Sequence, residues 1–98
     1  MTVEHFKNDR KALHFYTGLE SYEKFLFVFQ TLGKAAFQLK YVYKSKPSIS
    51  VLDRFFLTLM ILRQNKTYFE TSLLFNIPIK QVGNIFLTWL FFYETTVV

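Results

Sequence analysis

Three times along these 98 residues a hydroxyl side chain is followed three positions later by a carboxylate, with apolar side chains at helical spacing beyond it. The pairs are Thr17 with Glu20, Ser50 with Asp53 and Thr67 with Glu70. A Ser or Thr at a helix N-cap accepts a bond from a backbone N–H of the first turn, while the acidic side chain reaches back to the cap. Each such pair therefore satisfies donors that a helix start leaves open. This punctuation predicts an all-α chain.

The first helix is expected over about 20 to 32, with Ser21 competing with Thr17 as its cap. Tyr22, Phe25, Leu26, Phe29 and Leu32 step by three and four, and Gly33 ends them. Ala35, Ala36, Leu39 and Tyr43 then suit a helix to about residue 43, although "YVY" has strand character. Pro47 breaks the chain, and a helix opened at Ser50 should run to about Gln64. Thr67 starts a short helix ending near Phe75. After the turn "NIPI", Pro78 at a first helical position leads a last helix to about Glu94. Gly83 inside it is unfavourable by roughly 1 kcal/mol relative to Ala. We expect one domain over 1–98: a lead-in at 1–16, a helical region at 17–46, and a helix-turn-helix unit at 48–94, about five helices in all.

Several function classes are disfavoured by content. There is no Cys, and His5 and His14 have no obvious third ligand, so no metal or other cofactor is predicted. The carboxylates are two Asp and five Glu, of which Glu20, Asp53 and Glu70 are assigned to helix starts, and no Gly-rich phosphate loop occurs. Neither catalysis nor a small-molecule substrate is expected. The runs "FFLTLMIL" and "IFLTWLFFY" fall short of the roughly 20 residues that span a membrane, and the N-terminus lacks a signal peptide's apolar core. A soluble, intracellular protein fits. Twelve Lys+Arg against seven Asp+Glu give a net charge of +5, which favours an anionic partner.

The stretch Lys66 to Phe86, "KTYFETSLLFNIPIKQVGNIF", supports two readings, a nucleic-acid reader or ordinary helical packing. As a reader, its second helix turns Val82, Ile85, Phe86 and Trp89 inward and Lys80, Gln81, Asn84 and Thr88 outward. Gln81 and Asn84 have the amide that pairs with adenine, and Lys80 reaches a phosphate or guanine. Lys66 and Thr67 sit where the preceding helix would meet a phosphate. Lys34, Lys40, Lys44 and Lys46 form a second basic group available to phosphates. The bland reading of both groups is a solvated face.

Thirteen Phe in a chain that is 51% hydrophobic exceed what five helices can cover. Phe56, Met60, Leu87, Phe91 and Phe92 are expected to meet a second copy or a partner protein.

Taken together, "TGL", "LDRFFLTL", "LRQNKT", "LFNI" and "IFLTW" resemble the helix-turn-helix region that precedes the catalytic domain in DDE-superfamily endonucleases of the Harbinger type, including animal relatives with a THAP zinc finger. The resemblance covers about Phe15 to Tyr93. It implies a nuclear, transposase-derived domain that binds double-stranded DNA, without the family's nuclease carboxylates or an upstream zinc finger in this stretch. Where relatives commonly have a Ser cap and a Ser-Arg pair, this chain has Pro78, Gly83 and Asn84. Replacing Arg by Asn gives up a long-range cationic contact.

Overall fold

The computed structural model describes residues 1–33, 36, 39 and 47–97, which form a 3-10 turn at Val3–Phe6 and five α-helices, with no strand among them. The helices are α1 (Arg10–Thr17), α2 (Tyr22–Thr31), α3 (Val51–Gln64), α4 (Tyr68–Phe75) and α5 (Ile79–Val97). The expectation of an all-α fold holds. The helix expected to about residue 43, and with it Lys34, Lys40, Lys44 and Lys46, lies outside the described residues.

Local chemistry sets most helix starts as expected. Ser50 Oγ accepts the N–H of Asp53 at 3.2 Å and Thr67 Oγ1 that of Glu70 at 3.0 Å. Ser21 caps α2, accepting the N–H of Lys24 at 3.2 Å. Gly33 takes a left-handed φ of 71°, as a residue closing a helix should. The two corners of the C-terminal unit are both left-handed asparagines, Asn65 (φ 53°) after α3 and Asn76 (φ 55°) after α4. Asn is among the few residues with a Cβ that visit this region readily.

The lead-in is where expectation and structure differ. Asp9 accepts the N–H of Ala12 and opens α1, which ends in Thr17 instead of being preceded by it. The Thr17 hydroxyl donates to the Leu13 carbonyl at 2.8 Å and accepts the Leu19 N–H at 3.0 Å, so it is used inside α1 and its exit. Leu13 and Thr17 are buried on its inward side, and the Thr17–Glu20 spacing drew the expected first helix start past it.

Helix α3 is the axis of the molecule, packed by α5 on one side and by α1 and the 3-10 turn on another. Phe55, Phe56, Leu57 and Met60 are all at most 1% exposed, the burial of a helix apolar nearly all round. Phe56 and Met60 are therefore core and not partner surface, contrary to the expectation above. The rings of Phe6, Tyr16, Phe25 and Phe75 all lie within 6.4 Å of the Phe56 ring, so the lead-in and α4 cover the side that sequence alone left open. Phe25, Phe29, Phe55 and Trp89 continue this aromatic packing from α2 through α3 to α5.

Two buried charged residues at the start of α3 tie other chain to it, Asp53 the distant N-terminus and Arg54 the turn just upstream. Asp53 accepts the backbone N–H of Val3 at 2.8 Å and the Ser50 hydroxyl at 3.1 Å. Arg54, 8% exposed, donates from Nε to the Ile49 carbonyl at 2.8 Å and from Nη2 to the Pro47 carbonyl at 3.1 Å. Charge-assisted bonds of this kind offset the desolvation that buried ions otherwise suffer.

Candidate nucleic-acid interface

Helix α4 ends where Asn76 turns left-handed and the N–H groups of Asn76 and Ile77 both reach the Ser72 carbonyl. Ile77 is buried and seats the turn, and the Pro78 carbonyl accepts the N–H groups of Gln81 and Val82 to open α5. With α3 behind them, α4, a three-residue turn and α5 make a trihelical unit whose last helix presents its first turns outward.

The inward side of α5 is as expected at its centre: Val82, Ile85 and Trp89 are fully buried. The buried arc is wider than the apolar stripe, however. Asn84 is 2% exposed and Thr88 8%, so neither faces outward as the sequence suggested. Helix α5 packs against both α3 and α4, and that double contact encloses polar positions flanking the stripe. No buried side-chain nitrogen or oxygen among the described residues lacks a hydrogen-bond partner, so both polar groups are accommodated inside the fold.

Gln81 is half-buried and already engaged. Its Oε1 accepts the Ser48 N–H at 3.0 Å and the Ser48 hydroxyl at 2.9 Å, which fills both lone pairs. Bidentate adenine recognition needs that oxygen as well as the NH₂ group, so Gln81 as held here cannot make it. Lys80 is exposed. Lys66 is mostly buried along its stem and pairs with the Glu70 carboxylate at 3.5 Å, and the exposed Thr67 is the α4 cap. Lys66 and Thr67 do lie at the α4 N-terminus, where a phosphate contact was expected.

An open concavity of about 630 Å³ lies along the N-terminal half of α5. It is lined by Tyr68 from α4 with Ile79, Lys80, Gly83, Asn84 and Leu87 from α5, flanked by Pro78 and Gln81. Among the described residues its one cation is Lys80, and none of them lining it is a carboxylate. Tyr68, Ile79 and Gly83 were not singled out as site residues from sequence. The signal for Gly83 was its unfavourable place inside a helix. The structure supplies the reason, because a Cβ there would stand 3.2 Å from Cε2 of Tyr68. That ring also packs edge-on against Phe86, 5.9 Å between centroids, and so couples α4 to α5. Gly83→Ala should therefore gain less than the roughly 1 kcal/mol of helix propensity. The full gain should return in a Tyr68→Ala background, as a double-mutant cycle of urea melts would show. Equal gains in both backgrounds would contradict the close approach.

Titration is shifted on α2. Burial raises the Tyr22 hydroxyl, with Glu4 and Asp53 adding to it, and bonds from its own backbone N–H and then from Ser21 lower the Glu23 carboxyl.

The trihelical unit, the capped short helix and the outward first turns of α5 define a helix-turn-helix domain. The chain matches the family model for the helix-turn-helix of DDE superfamily endonuclease over residues 47–95, from the residue before Ser48 through most of α5. It belongs to that family. No curated protein and no solved structure matches it.

Proposed function

We propose that this domain binds double-stranded DNA and performs no chemistry itself. In this reading α5 lies in the major groove with Lys80 at its leading turn, and Lys66 and Thr67 at the N-terminus of α4 meet a phosphate. The observation that carries it is the open concavity on the first turns of α5, with no carboxylate among its described lining residues, on the element that enters the groove in helix-turn-helix proteins. The net charge of +5 supports the same partner. Lys34, Lys40, Lys44 and Lys46 would add further phosphate contacts. The Harbinger-type resemblance supports a transposase-derived origin and a nuclear setting.

Binding measured across a salt titration tests this. Lys80→Ala and Lys66→Ala should each weaken binding about equally for all sequences and reduce the log–log salt slope by about 1. Unchanged affinity and slope in both variants would overturn the assignment. Asn84→Ala, by contrast, should act through stability, since its side chain is buried.

One observation favours a second reading, an association module with the helix-turn-helix as scaffold. Phe91 is 71% and Leu87 43% exposed on α5, and Phe92 is half-buried beside Trp89. A stable dimer by size-exclusion mass at several concentrations, with no DNA retained at low salt, would replace the first reading by this one.

A further inference from the structure

We infer that α5 reads sequence through the C5-methyl groups of thymine, with Ile79 and Leu87 as the contacting side chains. This rests on the DNA-binding reading above and concerns what the same surface selects. The two amides that sequence offered as adenine readers are withdrawn: Gln81 Oε1 is held by Ser48, and Asn84 is 2% exposed. What the concavity presents instead is apolar, with Ile79 at 47% and Leu87 at 43% exposure and the Tyr68 ring between α4 and α5.

The major-groove edge of DNA carries a single apolar group, the thymine methyl, and aliphatic side chains are complementary to it. Lys80, the only cation among the described residues of the lining, supplies attraction to phosphate or to a guanine edge without distinguishing thymine from its unmethylated analogue. Ile79 and Leu87 stand eight residues apart on one helix, roughly 12 Å along its axis, a distance spanned by about three to four base-pair steps. Two thymines separated by up to that interval are therefore the preferred feature.

The test begins by selecting tight binders from a randomised duplex pool at low salt. The recovered duplex is then made with thymine and with deoxyuridine, which differs only by the missing methyl. Each buried methyl is worth about fourfold in affinity, so the thymine form should bind roughly fifteenfold more tightly when two are contacted. The ratio should fall in Ile79→Ala and vanish in the Ile79→Ala/Leu87→Ala double variant; both positions are exposed, so the fold is spared. Lys80→Ala should change the salt slope and leave the ratio intact. Equal binding of the two forms by the wild-type protein, with a normal salt slope, would overturn the methyl readout and leave DNA binding standing. A ratio that persists in the double variant would overturn it too, by assigning the preference to DNA shape. Failure to retain any duplex at low salt would overturn the DNA-binding reading and this inference with it.

Discussion

Trp89→Ala should remove the cooperative unfolding transition of this domain, or bring it close to zero denaturant. The indole is fully buried and its ring lies 5.7 Å from Phe55, 5.8 Å from Phe92 and 6.4 Å from Phe29, so it joins α5 to both α3 and α2. Truncating a core Trp to Ala costs about 3–5 kcal/mol. That is most of what a domain of this size has, since folded domains retain only about 5–15 kcal/mol and small ones sit low in the range. The chain has one Trp, so its fluorescence is lost in the variant and far-UV circular dichroism in urea is the appropriate readout. Trp89→Phe should keep a cooperative transition at a lower midpoint. A loss below about 1 kcal/mol in Trp89→Ala would mean that α5 is held by something other than this aromatic packing.

The second large effect is expected at Arg54. Replacing it by Met keeps the stem but removes the donors that Ile49 and Pro47 carbonyls share, and bonds from a charged donor contribute about 1.5–3 kcal/mol each. Arg54→Met should lower stability by about 2–4 kcal/mol, allowing for the desolvation it relieves. Arg54→Lys should recover little of this, because one ammonium cannot reproduce the two directions of the guanidinium fork. The loss should also be local. Ser48 lies between the two released carbonyls and bonds Gln81 on α5, so amide exchange at Ser48 should accelerate beyond what global destabilisation explains. Stability within 0.5 kcal/mol of the wild type would show that the turn before α3 is held without Arg54.

How much of this was legible in the sequence depended on the range of the interaction involved. Ser50, Thr67 and Gly33 act on neighbours within one turn, and the starts of α3 and α4 and the end of α2 follow from them. Asp9 acts just as locally, but the Thr17–Glu20 spacing competed with it as the first helix start, and α1 was missed for that reason. The faces of helices were less legible. Phe56 and Met60 read as surplus apolar surface because the rings that cover Phe56 come from residues as far off as Phe6 and Phe75. On α5 the stripe Val82, Ile85 and Trp89 was plain, while the burial of Asn84 and Thr88 depends on two packing partners that periodicity does not register. The engagement of Gln81 by Ser48 spans 33 positions and has no sequence signature. The positions of α4, the turn and α5 were therefore legible in the sequence, and which side chains of α5 face outward was not. Of Lys80, Gln81, Asn84 and Thr88, the structure leaves Lys80 outward.

The corners at Asn65 and Asn76 also affect the denatured chain. Glycine would allow the same left-handed geometry, but it would enlarge the set of backbone states available before folding, and that larger set would have to be given up at both junctions. With asparagine the unfolded ensemble is already narrower at the two points that orient α4 between α3 and α5. The relative orientation of the three helices is thus supported by entropy that the chain never possessed, in addition to the contacts it makes once folded.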